Sequence, residues 1–263
     1  MLPDVIEAAK IGGKILREGF GKLDSLHPEE KTPADFVTEA DKRSEEAILD
    51  FLSRRFPEDA VVAEESGTHS GKSPYRWYID PLDGTKNYMH GFPVFSVSIG
   101  LAKGSEIVAG VVYLPILEEL FSAEKGKGAF LNGQPVHVSK TKDWNQVLLA
   151  TGFPHNNRDL LDIYLKSFHP LFLKASAVRR VGSAAADLAY LACGRFDGFW
   201  ELRLNRYDIA AGILLVEEAG GMVSDVTGGS TYFETGNILA ANPHIYETML
   251  EITSGIFKKD GSA

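Results

Sequence analysis

The stretch Trp77-Tyr78-Ile79-Asp80-Pro81-Leu82-Asp83-Gly84-Thr85 decides how the rest of the chain is read. An apolar strand runs out at one carboxylate, a proline and a turn follow, and a second carboxylate stands three residues on. Two carboxylates delivered to one place suit a hard cation, because Mg²⁺ takes oxygen ligands and keeps several waters. Gly84 lets the backbone come close to an anion, and the Gly84 and Thr85 amides point at a phosphate if a helix starts there. The same residues also spell an acidic turn with a helix cap, since Asp, Pro and Gly are ordinary turn residues. Upstream, Val61-Val62-Ala63-Glu64-Glu65-Ser66 is another apolar strand ending in carboxylates, and Asp208 opens a helix far downstream, where a negative group is favoured. If these side chains converge, cations must lie among them: two carboxylates about 4 Å apart repel by about 4 kcal/mol at an effective dielectric of about 20.

Working outward, the spacing of Val5, Ile6, Ala8, Ala9, Ile11, Ile15 and Leu16 predicts a helix over Asp4 to Phe20, stopped by Gly19 and Gly21. Lys22 to Phe36, with Pro28 and Pro33, reads as a loop. A second helix starts near Thr38, capped by its hydroxyl with Asp41 reaching back, and Pro57 ends it. The runs Val61–Glu64, Trp77–Asp80, Phe95–Leu101, Ile107–Leu114, Glu119–Ala123 and Ala129–Leu131 predict a largely antiparallel sheet, with a hairpin turn at Asn132-Gly133. After Ser139 strands and helices alternate. Strands are expected at Val147–Thr151, Val178–Val181, Gly198–Leu202, Met222–Asp225 and Ile238–Ala241. Helices are expected at Asp159–Phe168, Ser183–Cys193 and Asp208–Ala219, with a last one from Pro243 capped by Asn242. The fold class is therefore mixed, α+β and α/β. The expected division is an N-terminal α+β lobe over 1–140, holding the Asp80 motif, and a C-terminal α/β lobe over 141–263, carrying Glu201 and Asp208.

The 263 residues are 44 % hydrophobic and 24 % charged, enough to bury a core at roughly 100–200 residues per domain. With 36 acidic against 27 basic side chains, the net charge of −9 speaks against nucleic acid as a partner, which needs clustered Lys and Arg. A single cysteine, Cys193, allows no internal disulfide and fits a reducing compartment. The first residues show no secretory pattern and no apolar stretch is long enough to span a bilayer, so the expectation is a cytoplasmic protein with no membrane partner. The seven histidines are scattered with no zinc-ligand spacing.

The run from Trp77 to His90 resembles the first signature of the inositol monophosphatase family. Tyr207-Asp208-Ile209-Ala210-Ala211-Gly212 through Glu218-Ala219-Gly220-Gly221 is similar to the second. Lys31 to Asp41, Glu64-Glu65-Ser66, Gly126-Lys127-Gly128-Ala129-Phe130 and Val181-Gly182-Ser183-Ala184-Ala185 stand around them in family order. The resemblance implies a layered αβαβα sandwich of the inositol monophosphatase and fructose-1,6-bisphosphatase type. It also implies a homodimer and a Mg²⁺-dependent, lithium-sensitive phosphomonoesterase with two to three ions per site. By that likeness Glu64, Asp80, the Leu82 carbonyl, Asp83 and Asp208 are metal ligands, and Glu64 with the Thr85–Asp41 pair activates water. On the substrate side the likeness places Asp83, Gly84, Thr85, Arg179, Gly182, Ser183, Ala184, Glu201 and Asp208. Lys86 and Arg206-Tyr207 depart from the family's usual residues and touch substrate choice rather than reaction type.

The expected reaction is hydrolysis of myo-inositol monophosphate by metal-activated water. Fructose 1,6-bisphosphate or another small phosphorylated sugar is the alternative, because Lys86, Arg179, Arg180, Arg203 and Arg206 are available to a second phosphate. A haloacid-dehalogenase type of phosphatase also carries Asp-Gly-Thr, but there the acidic residues stand two apart and the motif opens the chain. A non-catalytic interaction protein on the same fold would have no use for clustered carboxylates.

Overall fold

The computed structural model describes residues 1–22, 29–32 and 35–260. Helices α1 (Leu2–Gly19) and α2 (Glu39–Arg55) flank a short antiparallel hairpin, β1 (Glu29–Thr32) and β2 (Asp35–Val37). That hairpin lies where a loop over Lys22–Phe36 is expected: Asp35-Phe36-Val37 pairs back onto Glu29–Thr32. Residues 23–28 and 33–34 of the expected loop, and two positions of the Lys31–Asp41 motif, lie outside the described residues. The α2 start is a capping box. The Thr38 amide donates to Asp41 Oδ2 at 2.8 Å, and Thr38 Oγ1 accepts from Ala40 N.

Strands β3 (Ala60–Ala63), β4 (Gly67–His69), β5 (Tyr75–Asp83), β6 (Ser96–Lys103), β7 (Glu106–Leu114), β8 (Glu119–Glu124), β9 (Ala129–Leu131) and β10 (Gln134–Val136) form one eight-stranded sheet, with the short helix α3 (Thr85–Met89) after β5. Its order is β10-β9-β8-β7-β6-β5-β3-β4, antiparallel except for the β3–β5 pair. Asn132 and Gly133 both take positive φ, 49° and 79°, which is the turn that joins β9 to β10.

The later residues build β11 (Leu148–Thr151), α4 (Leu161–Lys174), β12 (Ala177–Arg179), α5 (Ala184–Ala192), β13 (Gly198–Glu201), α6 (Arg206–Glu218), β14 (Met222–Ser224), α7 (Tyr232–Thr235), β15 (Ile238–Ala241) and α8 (Tyr246–Asp260). The five strands make a second sheet in the order β12-β11-β13-β15-β14. α4 runs through Pro170 to Lys174, past the expected end at Phe168, because Ile163, Tyr164, Ser167 and Leu171 are buried along one face and hold the helix across the lost hydrogen bond. α8 starts one turn later than expected. Asn242 Oδ1 instead accepts from the amides of His244 and Ile245 in the turn before it.

Burial explains the apolar runs. Neighbouring strand residues point to opposite faces, and here both faces are covered. Val111 joins a core with α1 and α2, whereas Val112 joins a core with α5 and α6. On the second sheet, Ala240 faces α5 and α6, whereas Leu239 faces a third core with α4 and α8. The layers are thus α1 and α2, the larger sheet, α5 and α6, the smaller sheet, then α4 and α8: an αβαβα sandwich. Gly100 and Gly110 pair across β6 and β7 directly beneath α6. A Cβ at Gly100 would come within 2.6 Å of Ala210 Cβ, and one at Gly110 within 2.9 Å of Ala211 Cα, so bare glycine backbone lets α6 lie down on the sheet.

Candidate active site

Strand ends and helix starts from both sheets meet at one cleft of about 210 Å³. Asp80, Leu82 and Asp83 come from the end of β5, Glu64 from just past β3, and Gly84 and Thr85 from the entry to α3. Gly182, Ser183 and Ala184 come from the entry to α5, Glu201 from the end of β13, and Asp208 from the first turn of α6.

Residues three apart on a regular strand point to opposite faces. Asp80 and Asp83 share a cleft because β5 bulges between them: Asp80 pairs with Ser98 and Asp83 with Ser96, so one strand carries an extra residue. Such a bulge re-aims side chains. Gly84 follows with φ 102°, a left-handed conformation that a residue with a side chain resists, and a Cβ there would press on Gly182 O and Phe95 Cβ at 3.2 Å.

The aspartates are propped. The Leu82 amide donates to Asp80 Oδ1 at 2.9 Å. Asp83 Oδ2 accepts from Ser183 Oγ at 2.6 Å and from the Ala185 amide at 2.7 Å, so the first amides of α5 hold a side chain of β5. The Asn205 amide donates to Asp208 Oδ2 at 2.6 Å in a second capping box. Asp41 lies behind the cleft, fully buried; its Oδ2 accepts from Thr38 Oγ1 at 2.5 Å and its Oδ1 from Thr85 Oγ1 at 3.0 Å.

The charges are crowded. Burial first, then the charges of Glu64, Asp83 and Asp208, push the Asp80 carboxyl well above its ordinary range. Asp208 is pushed the same way by burial and then by Asp83 and Glu64. Burial raises Asp83 too, against the pull of Ser183, the α5 amides and Arg180. Glu201 is pushed up to about 8 by burial, with Arg180 opposing. Among the described residues no three of these side chains stand close enough to grip a single ion. Closing them to that distance requires positive charge between them, by the repulsion already given. The donor set is all oxygen, carboxylates with the Leu82 carbonyl, and so fits Mg²⁺ rather than a softer metal.

One of the expected substrate-side residues stands apart from the cleft. Arg179 is not on the cleft wall: it is exposed, and its Nη1 donates to its neighbour's carbonyl, Val178 O. Arg180, the next residue, lines the cleft, because consecutive residues leaving β12 point to opposite sides. Ser183 is buried and spends its hydroxyl on Asp83 and Ser96. The sequence reading also missed Gly152, where a Cβ would collide with the Glu201 carboxyl, and Asp187, an acidic residue inside an otherwise apolar helix. A larger groove of about 720 Å³ beside α2, lined by Leu49, Leu52, Phe56 and Trp77, holds none of these residues.

An αβαβα sandwich with propped carboxylates around one small polar cleft defines a phosphate-ester hydrolase. The inositol monophosphatase family profile matches residues 2–256. The chain is 41 % identical over 252 residues to an inositol-1-monophosphatase of Mesorhizobium japonicum, covering 95 % of each. It is 43 % identical over 251 residues to the Nus factor SuhB of Salmonella typhimurium, covering 95 % of this chain and 94 % of that one. It is 41 % identical over 255 residues to a fructose-1,6-bisphosphatase/inositol-1-monophosphatase of Aquifex aeolicus, covering 95 % and 96 %. The crystal structure of extragenic suppressor protein suhB from Bartonella henselae superposes with a TM-score of 0.92 at 42 % identity, over 95 % of this chain and 97 % of that one. The chain belongs to the inositol monophosphatase family and is a phosphatase.

Proposed function

We propose that this phosphatase hydrolyses myo-inositol monophosphate and requires Mg²⁺, with Glu64, Asp80, the Leu82 carbonyl, Asp83 and Asp208 as the ligands. The observation that carries the reading is that Glu64, the Asp80–Asp83 pair and Asp208, from separate parts of the chain, line one cleft together with Glu201. When bound, Mg²⁺ supplies positive charge against the phosphoryl oxygens and acidifies the attacking water. The chain's own part begins with Thr85. Its Oγ1 takes a proton from the attacking water while its own proton passes to Asp41 Oδ1, 3.0 Å away. Thr38 holds Asp41 from behind, so the acceptor does not swing. Gly84 and Thr85 give the phosphate a close approach to the backbone; α3 has only five residues, so amides rather than a long helix dipole serve there. Glu201, with room kept by Gly152, faces the alcohol half of the ester as acceptor for a hydroxyl. Phosphomonoester hydrolysis needs accelerations up to about 10²¹-fold, of which one acid–base group provides about 10²–10⁴, so charge neutralisation and positioning in the cleft carry the larger share.

A phosphorylated sugar with a second phosphate is the other reading, and one observation favours it. Arg180 and Lys86 line the same cleft, and His155 beside them is held below its ordinary range by burial and then by Arg180, Lys86 and Arg158. We place the homodimer face on α4, where Leu161, Leu165 and Phe172 share one side and are 41 %, 44 % and 54 % exposed. Phosphate release measured on inositol monophosphate, fructose bisphosphate and simple esters, with Mg²⁺ titrated and Li⁺ added, tests the function. Mg²⁺-dependent, Li⁺-inhibited release fastest from the inositol ester supports it. Faster turnover of the bisphosphate favours the second reading, and release indifferent to Mg²⁺ overturns both.

A further inference from the structure

Asp187 sits in α5 within Ala184-Ala185-Ala186-Asp187-Leu188-Ala189, where its neighbours are all apolar. It is 1 % exposed, yet it forms part of the cleft wall. Its Oδ1 has no hydrogen-bond partner among the described residues. Buried polar oxygens are nearly always matched, and an unmatched one calls for a reason. A structural reason is missing here, because α5 is already capped by Ser183, whose Oγ accepts from the Ala186 amide, and is tied to β5 through Asp83. The Glu201 carboxyl, from β13 in another layer, lines the same cleft, and burial first, then the charges of Glu201 and Asp83, push the Asp187 carboxyl well above its ordinary range.

We propose that Asp187 is a substrate-binding residue: its Oδ1 receives a second hydroxyl of the polyol, beside the one received by Glu201. Two carboxyl groups from two layers then read two hydroxyls. This rests on the phosphatase reading of the cleft and extends it to substrate selection.

The test compares kcat/KM for inositol monophosphate with that for p-nitrophenyl phosphate, which has no hydroxyl to offer. The parent, Asp187→Leu and Asp187→Asn are measured side by side. Loss of a hydrogen bond to a carboxylate lowers the ratio about ten- to a hundredfold in Asp187→Leu, mainly through KM. Asp187→Asn, whose amide oxygen still accepts, falls less. An unchanged ratio overturns the proposal, whether both rates fall together or neither falls. Asn also serves where the Leu variant fails to fold, as judged by circular dichroism. A second readout needs no turnover: myo-inositol raises the Tm of the parent, raises that of Asp187→Asn less, and leaves that of Asp187→Leu unmoved. If the parent releases phosphate from neither ester, the phosphatase reading fails and the inositol shift alone decides. A shift kept in full by either variant, or absent from the parent, counts against Asp187.

Discussion

In the proposed mechanism Thr85 acts through the two groups its hydroxyl touches, Asp41 Oδ1 at 3.0 Å and the Leu82 carbonyl at 3.2 Å. Thr85→Ala removes the proton path and lowers kcat by about a hundredfold or more, while Thr85→Ser retains most of it. Steady-state kinetics at saturating Mg²⁺ decide, and an undiminished kcat in the alanine variant takes Thr85 out of the relay. Asp225 offers a different single-residue test, outside the cleft. Burial pushes its pKa up, but hydrogen bonds from Thr227 Oγ1, the Gly229 amide, Thr231 Oγ1 and the Thr227 amide outweigh it and hold the carboxyl at about 2, from an ordinary value of 3.8. A depressed folded-state pKa adds stability above the unfolded value, and that stability is lost as pH falls toward the folded one. The urea midpoint of the parent therefore exceeds that of Asp225→Asn at neutral pH, and the gap closes as pH drops from 3.8 toward about 2. A gap that stays constant over that window refutes the assignment. At this scale the acidic residues were readable because each stands at a strand end or helix start. Asp187 was not, disguised by the alanines and leucines around it, and nothing local says that Arg180, just past β12, lines the cleft while Arg179 does not.

Elements turn chemically suitable residues into a site. The β5 bulge and the seat of α6 are the two decisive pieces. Because Gly100 and Gly110 admit α6 to near backbone contact, a side chain at either lifts the helix that bears Asp208. Gly110→Val lowers stability by about 1–3 kcal/mol and weakens Mg²⁺ binding together with it. Calorimetry showing a full loss of Tm with unaltered Mg²⁺ affinity separates the two effects and refutes the link. Strands flanked by glycine and proline were legible, as was the Thr38–Asp41 cap, because these signals are local. The hairpin of β1 and β2 was not, since three- and four-residue strands with charged ends carry no period. The bulge was hidden too: Asp-Pro-Leu-Asp spells a turn, and only pairing with Ser98 and Ser96 reveals a continuous strand.

For the whole molecule, the change of character near residue 140 marks where one sheet stops and the other starts, but the cores do not divide there. α5 and α6, from the later part, pack against β5, β6, β7 and β8 of the earlier one. No local pattern announces which helix is shared by two sheets; that follows only from tertiary packing. The exposed side of α4 yields a test at this level. If α4 carries the proposed dimer face, Phe172→Glu paired with Leu165→Glu shifts the protein from dimer to monomer in light scattering, and both side chains are exposed in the single chain. A mass that does not move removes α4 from the interface. The shared helical layer has one more result. Asp83 is held by the start of α5, and Asp208 rides on α6, so the proposed catalytic arrangement comes into being only once the middle of the sandwich is assembled. Turnover therefore doubles as a sensor of complete assembly: during refolding, activity returns in step with the slowest tertiary probe, and no half-built intermediate is an enzyme.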